Sequence, residues 1–120
     1  MLLLLALSIF TIGALIKEKN SVIINTTPNA KLILYYGDGC TYCKVVEEYL
    51  GKNDPENKFK IAQKEVGKNQ DNQQEFVEKA RACGLDTDKL SIPMLWDSKD
   101  SKCYTGDQII IDFLNSQTAL

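Results

Sequence analysis

The chain contains no histidine. That absence removes His-based acid–base pairs, His-activated nucleophiles and imidazole metal ligands, so any proton transfer must come from a carboxylate, a lysine, a helix dipole or water. Nor is there a block of basic residues. The net charge of −2, from 14 Lys and Arg against 16 Asp and Glu, decides little; with no basic block to suggest nucleic acid and both signs interspersed, the surface reads as mixed and solvated. At 120 residues, 44% apolar and 25% charged, the chain has the size and composition of one ordinary globular domain.

What it does have is four cysteines, two of them spaced as Cys40-Thr41-Tyr42-Cys43. Lys44 follows rather than histidine, so haem attachment is excluded. Zinc would need two more ligands, and with no histidine these could only be Cys83 and Cys103, which are single and far apart rather than a second paired knuckle. The surroundings favour redox chemistry instead. A run of β-formers, Leu32-Ile33-Leu34-Tyr35-Tyr36, ends in Gly37-Asp38-Gly39, and a helix-period pattern begins at Cys40. Cys40 is therefore expected at a strand-to-helix junction, where the helix dipole and unpaired backbone N–H groups favour a thiolate over a thiol. Cysteines so placed titrate at roughly 3.5 to 7.5, against about 8.5 for a free one. Cys43, about one helical turn on, is close enough to close a disulfide and release a mixed-disulfide partner.

The first sixteen residues, Met1 to Ile16, are almost uninterrupted apolar and stop at Lys17-Glu18-Lys19. As a helix they would span about 24 Å, short of the ~30 Å hydrocarbon core, which suits a short membrane anchor or the hydrophobic region of a signal segment, with the uncleaved anchor favoured. Residues 17–30 form a linker and residues 31–120 the domain. The need of exported proteins for dithiol chemistry argues for an extracytoplasmic domain, whereas Lys17 and Lys19 argue weakly for the cytoplasmic face.

Within the domain, Lys31 to Tyr36 reads as a strand buried on both faces. A helix follows from Thr41 to Lys52 with Val45, Val46, Tyr49 and Leu50 inward, and a second, more exposed strand runs from Lys58 to Val66. Asp71 or Asn72 can cap a second helix with Phe76, Val77, Ala80 and Cys83 on its stripe, stopped by Gly84. Ser91-Ile92-Pro93-Met94-Leu95-Trp96-Asp97 opens a hairpin whose returning strand is Lys102 to Thr105. A last helix follows with Asp107 as its cap and Ile110, Phe113 and Leu114 inward. The order is β-α-β-α-β-β-α, one sheet with helices on both faces. For Cys83 and Cys103 three readings stand: small core hydrophobes, a second disulfide stapling helix to hairpin, or a relay pair exchanging with Cys40 and Cys43.

Over residues 31–114 the chain resembles the thioredoxin superfamily, nearest its glutaredoxin-like members. The likeness rests on the order of elements, on Cys40-Thr41-Tyr42-Cys43 after the first strand, on Ile92-Pro93 opening the third, and on Gly106-Asp107 before the last helix. It implies an α/β thioredoxin-like fold with a four-stranded mixed sheet. It makes Cys40 the nucleophile, Cys43 the resolving thiol, and Ile92 with a cis Pro93 a ledge on which a substrate segment lies as an added strand, flanked by Tyr42, Gly106 and Asp107. The implied activity is thiol-disulfide oxidoreduction on protein thiols or disulfides, by a monomer served by a further redox partner and needing neither metal nor organic cofactor. The departures are equally specific. Thr41 stands where glutaredoxins usually carry proline, and Thr105-Gly106-Asp107-Gln108 keeps only part of their glutathione-binding turn, so glutathione is not favoured. The first strand lacks the buried acid of thioredoxins; Glu47 is the available substitute, although a place on the solvated face of its helix is the favoured reading. Two rival classes remain, a noncatalytic adaptor with permanently stapled cysteines and a four-cysteine zinc module.

Overall fold

The structure, a computed structural model, describes residues 30–118, so the apolar segment at 1–16 and all but the end of the linker lie outside the described residues. The elements are β1 (Leu32–Tyr36), α1 (Thr41–Asn53), β2 (Ile61–Glu65), α2 (Gln70–Ala82), β3 (Met94–Asp97), β4 (Lys102–Thr105) and α3 (Asp107–Thr118). The sheet order is β2-β1-β3-β4, with β1 parallel to β2 and antiparallel to β3, and β3 antiparallel to β4. This is the expected mixed sheet, with β1 internal.

The two-faced burial of β1 follows from strand alternation. Leu32 and Leu34 join Val46 and Leu50 of α1 and Ile110 and Leu114 of α3 in one core layer. Tyr35 points the other way, into a layer with Phe76 and Ala80 of α2, Met94 and Trp96. Helices α1 and α3 therefore cover one face and α2 the other. Leu34, Val46, Leu95, Ile110 and Leu114 are fully buried, each such side chain contributing about 1.5–3 kcal/mol. No helix among the described residues is long and apolar enough to cross a membrane.

Four local expectations shift. The second strand starts at Ile61 rather than Lys58, because the preceding residues build a turn of their own. The buried Asp54 carboxylate accepts the N–H groups of Lys58 and Phe59, while Asn57 and Lys60 take positive φ of 52° and 54°. In α1, Val45 is 39% exposed, while Cys43, Val46 and Leu50 are buried and Tyr49 packs partly buried against the core. Asn69, not Asp71 or Asn72, caps α2, its Oδ1 accepting the Asn72 N–H at 2.9 Å. Asp107 is the first residue of α3 rather than its cap, since the Ile110 N–H bonds back to the Gly106 carbonyl.

Strand directions bring the starts of all three helices to one pole. Strands β1, β2 and β4 all run toward it and each feeds a helix there. Three macrodipoles thus present their positive ends at the C-terminal edge of β1.

Candidate active site

Cys40 stands at that edge. The turn Gly37-Asp38-Gly39 leaves β1 with Gly39 at φ 75°, a left-handed conformation that suits glycine, and the Cys40 N–H closes it onto the Gly37 carbonyl at 3.3 Å. Cys40 is the N-cap of α1. Its Sγ accepts the Cys43 N–H at 3.2 Å, and its carbonyl accepts the first helical bond, from Lys44. Sulfur fills the role an oxygen usually plays at this position, and a negative charge on it would meet a backbone donor and the helix dipole together. The first turn of α1 holds no acidic residue to oppose this.

Cys40 and Cys43 form a disulfide with Cα atoms 5.2 Å apart. Their environments differ: Cys40 is partly exposed, whereas Cys43 is 1% exposed beneath the helix. An incoming sulfur can therefore reach Cys40 and not Cys43. The Ile92–Pro93 peptide bond is cis, and the Ile92 carbonyl oxygen lies 3.9 Å from Cys40 Sγ although 52 residues separate them in the chain. Gly37 makes the approach feasible, since a Cβ there would meet Ile92 Cδ1 at 2.7 Å. On the far side of the ledge the Gly106 N–H bonds to the Pro93 carbonyl at 3.0 Å with Gly106 at φ 96°, which brings the turn before α3, and Asp107 with it, next to Pro93. Tyr42, 64% exposed, projects from the first turn of α1. Ile92 with Pro93 is thus brought to Cys40, Gly106 and Asp107 to Pro93, and Tyr42 lies between the two cysteines in the chain.

A concavity of about 480 Å³ opens beside Cys40, lined by Gly37, Asp38, Gly39, Thr41, Lys44 and Glu47. Glu47 is exposed there, not a buried acid beneath the resolving cysteine. Burial raises the Tyr36 pKa, and the charges of Asp38, Glu47 and Glu65 add to the shift; Asp38 and Glu47 line the concavity. Asp38 pairs with Lys68 at 3.2 Å, and Lys44 supplies a cation on the concavity wall.

One contributor escaped the sequence reading. The Glu65 carboxylate accepts the N–H groups of Gly67 and Lys68 at 2.6 and 2.8 Å, and those bonds, led by Lys68, hold its pKa below the usual glutamate range; the Asp38 N–H contributes. Glu65 thereby holds the loop after β2, whose Lys68 pairs with Asp38 of the loop that carries Cys40. A glycine two residues after a strand-ending glutamate was its sole signal in the sequence: a Cβ at Gly67 would meet Glu65 Oε1 at 2.7 Å.

Cys83 and Cys103 form a second disulfide, Cα atoms 5.9 Å apart, between the end of α2 and β4. Cys103 pairs with Trp96, two register steps down the strand from the Met94–Thr105 pair beside Pro93, which sets it about 7 Å along the strand from the level of the ledge. The staple reading describes this pair. The four thiols form two separate disulfides, and among the described residues no group of three or more Cys, Asp or Glu side chains could hold a metal ion.

No family model and no curated protein matches the sequence. Among solved structures, the crystal structure of the holo form of glutaredoxin C1 from Populus tremula x tremuloides is similar with a TM-score of 0.52 at 15% identity, covering 77% of this chain and 81% of that one. At that identity the likeness speaks for the backbone and not for the chemistry. Taken with the β-α-β-α-β-β-α order and the sheet topology, it shows that this chain has the thioredoxin/glutaredoxin-like fold.

Proposed function

We propose that the domain is a thiol-disulfide oxidoreductase acting on protein thiols and disulfides through Cys40 and Cys43. The observation that supports it is the asymmetry of the pair: an accessible sulfur at a helix N-cap, bonded to one that solvent does not reach. With the pair oxidised, a substrate thiolate attacks Cys40 Sγ and the Cys40–Cys43 bond breaks, its electron pair leaving on Cys43 as a thiolate. A second substrate thiolate then attacks the substrate sulfur of the mixed disulfide and expels Cys40 as a thiolate. The substrate is oxidised by two electrons and the domain reduced by two. In the opposite direction Cys40 thiolate attacks a substrate disulfide and Cys43 resolves the adduct. A further redox partner resets the pair in either case.

In each direction Cys40 is the sulfur that carries the adduct. Its thiolate is stabilised by the Cys43 N–H and the α1 dipole, with Lys44 nearby, so it is both a competent nucleophile and a good leaving group. The Ile92-Pro93 ledge beside it, with Tyr42 and the turn at Gly106-Asp107, accommodates an extended substrate segment. The partial Thr105-Gly106-Asp107-Gln108 turn gives glutathione a weaker claim than a polypeptide.

The test is trapping with Cys43→Ser. Mixed disulfides to client proteins through Cys40 are the expected result, and Cys40→Ser should trap none. A reduction potential of the pair below about −300 mV, the range of structural disulfides, together with no adducts under oxidising conditions, would refute the proposal in favour of a stapled adaptor.

A further inference from the structure

The pole opposite Cys40 has a different charge. There β1 and β2 begin, β3 ends, and the register Leu32↔Ile61, Leu32↔Asp97 and Asp97↔Lys102 brings their ends together. Six exposed lysines lie at or next to these ends: Lys31, Lys52, Lys58, Lys60, Lys99 and Lys102. Lys52 sits in the last turn of α1, where a cation is favoured anyway, and Lys58 pairs with Glu56. Lys31, Lys60, Lys99 and Lys102 have no ion pair among the described residues. The acids at this pole are fewer than the lysines: Asp54 and Asp97 are buried and accept backbone N–H groups, and Glu56 and Asp100 are exposed, four carboxylates against six lysines. Lys31, Lys58 and Lys99 border a concavity of about 240 Å³ with Phe59, Phe113 and the buried Asp97 in its wall. At the Cys40 pole the balance reverses, with Asp38, Glu47, Asp86, Asp88 and Asp107 against Lys44, Lys68 and Lys89.

A net charge of −2 conceals this segregation. Its direction matters because of where the chain enters. Ala30 leads into Lys31 at the lysine pole, and upstream lie Lys17, Lys19 and the apolar run at 1–16. Residues 17–30 span at most about 50 Å when extended. If the apolar run enters a bilayer, this tether keeps the domain near the surface without choosing which pole faces it, and charge then makes the choice. Each lysine near an anionic leaflet adds roughly fivefold to binding, and the effect decays within about a Debye length. The Cys40 pole, ringed with carboxylates, would be repelled.

We propose that the lysine pole is a docking surface for an anionic lipid bilayer, holding Cys40 on the side of the domain away from the membrane. Among anionic partners a bilayer is favoured over a nucleic acid because the chain that enters this pole carries, one short linker upstream, an apolar segment. The proposal does not depend on the redox chemistry of Cys40.

The test uses the full chain with vesicles of phosphatidylcholine alone or with 30% phosphatidylglycerol, and measures acetylation of each lysine by mass spectrometry. With the anionic vesicles Lys31, Lys60, Lys99 and Lys102 should react at least threefold more slowly than with the neutral ones, and 0.5 M NaCl should abolish the difference. Lys44, Lys68 and Lys89 should react equally in both. Equal rates for all lysines in the two vesicles, protection of the Cys40-pole lysines instead, or protection of the lysine pole by duplex DNA and not by anionic vesicles would each overturn the proposal. As a second measurement, the anionic-to-neutral partition ratio of the full chain should fall at least fivefold in the K31Q/K60Q/K99Q/K102Q variant, with Trp96 fluorescence reporting that the fold is retained. An unchanged ratio in the folded variant would also overturn it.

Discussion

The Cys83–Cys103 disulfide offers a quantitative test of what holds α2 to the sheet. Replacing both cysteines by alanine, in a Cys40→Ser, Cys43→Ser background so that no other disulfide responds, removes a cross-link with a sequence separation of 20. The chain-entropy relation assigns a loop of that length about 11 cal/mol/K, or about 3 kcal/mol at 25 °C. Little else could absorb the loss, because the buried residues of α2 are only Phe76 and Ala80. An ion pair, Lys64–Glu75 at 2.6 Å, and a cation–π contact, Lys79 Nζ 5.0 Å from the Trp96 ring, add about a kcal/mol or less each. The double variant should therefore lose about 3 kcal/mol in urea titration and roughly 10–20 °C in Tm. Trp96 is the single tryptophan and pairs directly with Cys103, so its fluorescence reads the transition at the relevant strand. Amide exchange should accelerate first at Cys83 and Leu85, whose N–H groups bond to Lys79 and Ala80 carbonyls, and least in β1. A change below about 0.5 kcal/mol with unaltered exchange at those amides would refute the reasoning and mean that packing alone retains the helix.

Other outcomes follow from single groups. The Tyr35 hydroxyl is fully buried with no hydrogen-bond partner among the described residues, so Tyr35→Phe should leave stability unchanged or raise it by about 1 kcal/mol; a loss beyond 1 kcal/mol in urea titration would show that the hydroxyl has a partner after all. Burial raises the pKa values of Tyr35, Tyr36 and Tyr104. Their contribution is thus complete below the usual tyrosine value near 10 and is lost as pH rises through the raised ones, and an alkaline urea series showing no such fall would contradict the burial argument. Glu65 has the opposite sign. Its lowered pKa means stability present above the usual glutamate value of about 4.3 and lost as pH falls through the folded one. The gap between wild type and Glu65→Gln should accordingly shrink on acidification, and a gap independent of pH would dismiss the carboxylate's bonds to the loop. After reduction, iodoacetamide should modify Cys40 far faster than Cys43, which is 1% exposed; comparable rates would remove the asymmetry on which the proposed chemistry rests.

Local patterns carried most of the architecture. The alternation in β1, the helix-period stripe after Cys40 and the stop at Gly84 are written in neighbouring residues, because strand and helix periods impose themselves over a few positions. Errors fell where two local options had nearly equal merit, as at the α2 cap, where Asn69 prevailed over Asp71 and Asn72, or at Val45, one position off the buried stripe.

From the sequence alone came a helix starting at a cysteine, a second cysteine one turn on, and the order of seven elements, each a consequence of short-range sterics and periodicity. Tertiary structure alone decided that Ile92 comes to Cys40 across 52 residues, that Cys83 meets Cys103, that Lys68 pairs with Asp38, and that lysines from separate chain segments share one pole. The physical reason is that strand order and register set those distances, and they are chosen by burial summed over both faces of the sheet rather than by any single stretch of chain.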